Sequence, residues 1–223
     1  HYNYRIIFIP ETIGAITYLS RHLSEMKERI RAGFNISCVG DDRTYSYVAS
    51  RYGDTLADKA AKNVLSFRYP KYKSYSFLQR GSDERQYNAP GVDLPVCAVC
   101  RSKYGEYPEY HTSKDDMGLI SPSGLQGAYE VYGDMLEVLE YNDRYKIKCL
   151  CEPQLGKRGL YPTVSQKGSY DEIKSMTDFI AYADGTNDLV DISNIIGIPA
   201  SRLIAVINKL LQEDLLNVCS LYE

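Results

Sequence analysis

Tryptophan is absent from this chain, and histidine with 3 residues and phenylalanine with 5 are scarce, against 21 tyrosines. A metal centre built on imidazole therefore has few candidates, and the tyrosine excess suggests half-buried rings with wet hydroxyls, as in polar clefts and interfaces. Long apolar runs are also missing. The longest, Ile6 to Pro10 and Val96 to Val99, are strand-sized, so no segment approaches the length needed to cross a bilayer. The opening residues His1-Tyr2-Asn3-Tyr4-Arg5 lack the charged start and apolar stretch of a signal peptide, which leads to the expectation of a cytoplasmic protein. A chain that opens on His1 and runs within a few residues into a core strand is expected to have lost an upstream segment. There is no excess of positive charge. A formal net charge of −3 gives no electrostatic reason for nucleic acid or an anionic membrane as partner.

What is present reads as an ordinary globular composition, 44% hydrophobic and 25% charged, and 223 residues are enough for a medium domain plus a small one. Two units are expected: an α/β domain over 1–150 and a small all-α, winged-helix-like domain over 168–223, joined by a linker loop over 151–167. Cys97 and Cys100 form a C-x-x-C, a pattern used for zinc or redox chemistry. They lie, however, in the apolar stretch Asp93 to Cys100, which reads as a buried strand where positions i and i+3 face opposite sides. Cys149 and Cys151 share one side of a predicted strand without a nearby Cys or His. With Cys38 and Cys219, all six read as reduced cysteines acting as small hydrophobes.

The first half alternates strand and helix. Arg5 to Ile9 is an apolar strand, and Ile16, Leu19, Leu23, Met26 and Ile30 place an amphipathic stripe on a helix over Ala15 to Ile30, ended by Gly33. Asn35 to Val39 is the next strand, Thr55 to Phe67 a helix, Ser74 to Leu78 a short strand and Asp93 to Cys100 another. Tyr45 and Tyr47 alternate along a strand, so their shared face is packing. Ser121-Pro122 starts a helix running to about Glu140, with proline in the first turn where its missing N–H is harmless. This alternation predicts a mostly parallel sheet with helices on both faces, whose sites form at loops beyond the strand ends. From Gly168 onward Ile173, Met176 and Ile180 mark one helix, Asp184-Gly-Thr-Asn a turn, Leu189 to Ile196 a second helix closed by Gly197, and Pro199 opens a third, the helix-turn-helix pattern.

Three loops carry polar groups that a structural account does not require. Pro10-Glu11-Thr12-Ile13-Gly14 follows the opening strand, and Glu11 there is also readable as an ordinary helix-start carboxylate. Arg80 to Tyr87 contains Asp83, Glu84 and Arg85, equally readable as a solvated loop. Tyr107 to Asp116 holds Tyr110 and His111 on a long loop, where function concentrates.

The order Glu-x-x-Gly after a strand, Asn-x-x-x-Val-Gly, Ser-Asp, Gly-x-x-x-Pro before a strand and Tyr-His-Thr-x-x-Asp resembles the zinc aminopeptidases that include bacterial leucyl aminopeptidase, over roughly residues 4 to 140. Arg80 to Tyr87, Arg101 to His111 and Cys151 to Tyr161, followed by a winged helix, resemble more closely a bacterial group of aminopeptidase-like proteins of undefined function. Some of those are encoded near polysaccharide-biosynthesis genes. The resemblance implies a zinc-exopeptidase-like fold, with Glu11 as general base, His111 as a zinc ligand, and Asp83, Glu84, Arg85 and Tyr110 lining the substrate pocket. A guanidinium such as Arg85 can hold a carboxylate in bidentate fashion. It also implies one zinc ion in the complete protein, which lowers the pKa of its water to about 7 and polarises a carbonyl. Two positions depart from the pattern: Thr12 stands where a ligand Glu is expected, and Ser37 where Asn-x-Asp supplies a carboxylate. The remaining His and Asp ligands would lie upstream of His1.

Two readings follow. One is a metallohydrolase acting on a small peptide or amide substrate; the other is a peptide- or glycan-binding module that has lost catalysis. A third, DNA binding through the helix-turn-helix, is disfavoured because residues 168–223 hold nine acidic and three basic residues, a net of −6, which phosphates would repel. The tyrosines hint at a homodimer. His22 reads as a helix-surface residue, Asp41-Asp42 as turn residues, and Lys157-Arg158 as part of a solvated loop.

Overall fold

The computed structural model describes residues 2–160 and 169–221, with Ser169 and Tyr170 by backbone alone. The chain divides into two units, His1–Met135 and Leu136–Glu223. The boundary therefore falls before 150. Residues 161–167 of the expected linker, and Gly168, lie outside the described residues.

In the first unit the predicted stripe forms α1 (Ile13–Arg29), which buries Ala15, Leu19 and Met26 and ends with Lys27 and Arg29 facing its negative dipole end. Arg5 to Ile9 is paired in no sheet among the described residues. Its strand-like alternation survives, because Ile7 and Ile9 are half-buried while Ile6 is 78% and Phe8 94% exposed. The period was legible, but no neighbouring strand bonds to it.

The sheet consists of β1 (Gly33–Asn35), β2 (Ser46–Val48), β3 (Lys73–Tyr75) and β4 (Val96–Cys100), in the order β1-β4-β2-β3. Pairings β1–β4 and β2–β3 are parallel and β2–β4 is antiparallel, a parallel-rich sheet as expected. The strand expected over Asn35 to Val39 is displaced towards Gly33, where a Cβ would meet the Val96 side chain at 2.9 Å, so only glycine lets the two chains approach.

Register and alternation sort the sheet's side chains. Phe34, Cys97, Val99 and Tyr47 share one face. Against it lie α2 (Leu56–Arg68), whose Asp58 accepts from the Tyr47 hydroxyl at 2.6 Å, and α4 (Pro122–Tyr141), whose Tyr132 meets Phe34 edge-on. Val96 points to the opposite face, where it packs with Ala15, Leu19 and Met26 of α1 and with Tyr87 of the short α3 (Glu84–Tyr87). Ala98, Cys100 and Val48 lie on that second face with Tyr75, Tyr104 and Tyr110. Helices thus cover both faces. Cys97 and Cys100 are free, buried thiols, as expected of small hydrophobes.

The second unit contains β5 (Arg144–Ile147), α5 (Ser169–Tyr182), β6 (Asp184–Asp188), α6 (Leu189–Ile196), α7 (Ala200–Gln212) and β7 (Leu216–Cys219). Its helices follow the expected pattern. Asp188 caps α6 by accepting the Asp191 N–H, and Gly197 closes it at φ 70°. Phe179, Ile192, Leu203, Ile207 and Leu210 form its core. To the helices expected from the sequence the structure adds an antiparallel sheet, β6-β5-β7. The turn read at Asp184-Gly-Thr-Asn keeps an Asx contact, Asp184 Oδ1 accepting the Thr186 N–H at 2.8 Å, while the same residues pair with β5. The strand expected to carry both Cys149 and Cys151 ends at Ile147, and Cys151 is exposed at φ 64°.

No single helix among the described residues is long and apolar enough to cross a membrane. α6 and α7 satisfy length and composition only as a pair bent by 114°, and their apolar residues form the core of the second unit.

Candidate functional site

The loop after residues 5–9 is folded tightly. The Gly14 N–H donates to Pro10 O at 2.9 Å, and a Cβ on Gly14 would stand 2.7 Å from that of Ile9. Within this loop Thr12 adopts φ 62°, a rare conformation for a β-branched residue, and the surroundings hold it there. Its N–H donates to Asp83 Oδ1 at 2.6 Å, and its hydroxyl accepts from Arg85 Nη2 at 2.5 Å. The first and second loops are thereby joined through the residue that departs from the aminopeptidase pattern. Glu11, next to it, is exposed.

Glu84 requires a correction. Rather than lining a pocket, its side chain is 0% exposed, and its oxygens accept from Gly81 N–H at 2.8 Å, Ser82 N–H at 3.1 Å, the Tyr104 hydroxyl at 2.5 Å and Asn35 Nδ2 at 2.9 Å. A fully buried carboxyl group with that many donors acts as an internal anchor for the loop. Burial and then the Glu84 hydrogen bond push the Tyr104 phenol well up, so it stays protonated and donates. Asn88 completes the anchorage by donating to the carbonyls of Glu84 at 2.9 Å and Val96 at 2.7 Å.

The third loop leaves β4 at Arg101. Ser102 donates through N–H and hydroxyl, both at 2.8 Å, to the buried Asp41 carboxylate, and the Arg101 N–H donates to Cys38 O at 2.8 Å. Asp41 therefore has a structural task, in keeping with its reading as a turn residue. Further along, Tyr110 and His111 stack with centroids 3.9 Å apart, and Tyr107 meets Tyr110 edge-on at 5.5 Å. Arg43 grips Glu109 through two contacts of 2.8 Å and holds its carboxyl down at about 2. His111 is exposed and sits at φ 59°, and Cys38 at φ 50°. Three of the six non-glycine residues with positive φ among the described residues, Thr12, Cys38 and His111, lie on these loops, the others being Asp93, Cys151 and Asp214.

Hydrogen bonds tie the three loops together: Thr12 of the first to Asp83 and Arg85 of the second, and Tyr104 at the start of the third to Glu84 of the second. Burial raises the Tyr110 phenol first, the Cys38 thiol and the Glu11 carboxylate raise it further, and the Arg85 guanidinium lowers it. Of the residues singled out in the sequence, Asp83 and Arg85 are tied through Thr12 to the loop of Glu11, Tyr110 and His111 stack on each other in the third loop, and Glu84 supports the second loop from beneath. Sequence reasoning missed Cys38 and the Arg43–Glu109 clamp, because neither carries a local signal. The other candidates fall away. His22 stacks on Tyr18 along α1, and Arg158 donates to Glu213 O within the second unit. Tyr45 and Tyr47 are buried packing residues. A concavity of about 470 Å³ beside Arg5 to Ile9 includes no residue of the three loops.

A catalytic zinc ion takes three protein ligands. Among the described residues no three His, Cys, Asp or Glu side chains gather closely enough to hold one, and Thr12 and Ser37 offer hydroxyls where carboxylates are expected. The donors present do not fit a zinc site by themselves.

Comparison with known proteins gives a consistent picture. The profile of a family described as a domain of unknown function (DUF4910) matches residues 1–142, and that of a winged helix-turn-helix matches 143–218. A Clostridium acetobutylicum protein, named for polysaccharide biosynthesis and an aminopeptidase-like domain, is 37% identical over 220 residues, 97% of this chain and 50% of its own length. This chain thus spans about half the length of that curated relative. A crystal structure from the same organism, named as a peptidase, superimposes with a TM-score of 0.83 at 36% identity, covering 94% of this chain and 47% of the other, so the fold is peptidase-like. The aminopeptidase from Aneurinibacillus sp. strain AM-1 aligns over 56% of this chain and 29% of its own, with a TM-score of 0.47 and 19% identity.

Proposed function

We propose that this chain, which belongs to the DUF4910 family and continues into a winged helix-turn-helix, supplies the substrate loops of an aminopeptidase-type hydrolase that cleaves a peptide or amide bond. One observation carries the reading: Thr12, next to Glu11, bonds to Asp83 and Arg85 of the second loop, and Glu84 of that loop accepts from Tyr104 at the start of the third. In this reading exposed Glu11 is the general base that takes a proton from the attacking water. Asp83, Arg85 and Tyr110 contact the substrate. His111 would give one donor to a zinc ion in the complete protein, and since the described donors do not hold zinc alone, no chemical step is assigned to a metal.

Glu11→Gln should lower hydrolysis of aminoacyl amides by about 100-fold or more, the usual worth of a positioned base, with metal content unchanged. Full activity in that variant would refute the assignment.

Thr12 favours a second reading, a peptide- or glycan-binding module without catalysis, because a hydroxyl engaged by Arg85 stands at a ligand position. Metal analysis and turnover assays of the full-length protein separate the two: a protein with neither zinc nor turnover that still binds ligand supports the module. Under either reading we infer a cytoplasmic protein with a small-molecule or peptide ligand, no nucleic-acid or membrane partner, and self-association as a homodimer to be checked by light scattering. The winged helix is read as a protein-packing module.

A further inference from the structure

Arginines that are not fully exposed in the first unit are Arg51, Arg85 and Arg101. Arg51 pairs with Asp93 at 2.6 Å and Arg101 faces Asp42 at 3.8 Å. Arg85 differs. Among the described residues it is paired with no carboxylate and its guanidinium makes one side-chain hydrogen bond, to the neutral Thr12 hydroxyl, while its Nε–H, like those of Arg51 and Arg101, is buried without an acceptor. A partly buried cation with unfilled donors is costly unless an anion completes it, and the planar fork of a guanidinium matches the two oxygens of a carboxylate. The bond to Thr12 fixes one end of the fork, and the loop that carries Arg85 is pinned by Glu84, so the group is pre-organised.

We propose that Arg85 is the specificity-determining residue of the three-loop site and that the site takes a ligand bearing a free carboxylate, bound on the guanidinium donors that the Thr12 bond leaves free. This rests on the reading of the three loops as a ligand site. It adds to that reading the chemical class of the ligand. Asp83 is not the missing partner in place: it accepts the Thr12 N–H and makes no direct contact with Arg85 among the described residues.

The test uses the 223-residue chain and a matched pair of probes, N-acetyl-L-alanine and its neutral amide, titrated at millimolar concentration with NMR detection of the Tyr110 and His111 ring signals. The acid should bind about tenfold more tightly than the amide, the worth of a charge-assisted bidentate contact, and Arg85→Gln should erase the difference. Arg85→Lys, which keeps the charge and loses the fork, should retain only a small part of the preference. The wild-type comparison needs no variant, so a folding defect in Arg85→Gln leaves the test intact. Equal binding of acid and amide at the Tyr110 ring would overturn the carboxylate preference and leave the ligand site standing. An acid preference that survives in Arg85→Gln would overturn the role of Arg85. Absence of binding by both probes would overturn this inference and the site reading together.

Discussion

Replacing Glu84 by glutamine tests the claim that a carboxylate once readable as a substrate contact is an internal anchor. Four donors converge on it, from Gly81, Ser82, Tyr104 and Asn35. Hydrogen bonds to a charged group are worth about 1.5–3 kcal/mol, against about 1 kcal/mol for neutral partners. Glutamine has one carbonyl oxygen, which can keep the three donors from Gly81, Ser82 and Tyr104. Its NH2 then faces Asn35, whose amide must flip to present Oδ1. The flip is available, so the loss reduces to charge assistance on the bonds that remain, about 2–3 kcal/mol in all. Glu84→Ala leaves the donors buried and unsatisfied and should cost about 4 kcal/mol or more. The chain has two units, so a single melting temperature mixes two transitions. Amide hydrogen exchange of peptides covering residues 80–100, read by mass spectrometry, reports the local loss directly. Exchange in Glu84→Gln within about 0.5 kcal/mol of the parent would refute the anchor, since an exposed substrate contact is what a change that small would indicate.

Gly124 and Gly133 share α4 and should respond oppositely to alanine. A Cβ on Gly124 would stand 2.1 Å from Gly40 O, a backbone atom that cannot step aside, so Gly124→Ala should cost about 1–3 kcal/mol in urea unfolding. Gly133 meets nothing within 4 Å and is exposed, so Gly133→Ala should stabilise by up to about 1 kcal/mol. Asp58 is buried, which pulls its pKa up, yet hydrogen bonds from Ser50, Thr55 and Tyr47 outweigh burial and leave it lowered. A lowered folded value means stability that is complete above the unfolded pKa of about 3.9 and is lost as pH falls through the folded value. Asp58→Asn should therefore trail the parent by about 2 kcal/mol at neutral pH, with the gap closing in acid, and a pH-independent gap would contradict the mechanism. Duplex DNA should not shift at micromolar protein, since Lys209 of α7 is already engaged by Glu172; a salt-sensitive shift would reverse this.

Elements with local signals were legible. Asp188, Gly197 and Pro199 delimit α6 and start α7 through capping chemistry that acts within a few residues, and the structure places both helices there. Arg5 to Ile9 shows the opposite case: its alternation is that of a strand, but pairing is settled by a distant partner, about which period says nothing. Charge patterns misled in the same way. Glu84 sits in a polar run indistinguishable from a solvated loop, and its burial is decided by Asn35, 49 residues away, and Tyr104, 20 away. Resemblance named Glu11, Asp83, Arg85, Tyr110 and His111, yet the tie between the first two loops escaped it, because Thr12 reaches residues 71 and 73 positions along the chain.

The distribution of the six thiols makes the protein convenient to label. Cys97 and Cys100 are sealed in β4, and burial pushes both thiols well up, so neither forms the reactive thiolate. Cys151 is exposed on a turn of the second unit, whereas Cys38, Cys149 and Cys219 are half-covered. Brief exposure to a maleimide dye would mark the winged-helix unit first and leave the sheet of the peptidase-like unit untouched, giving an optical reporter to a chain that has no indole of its own.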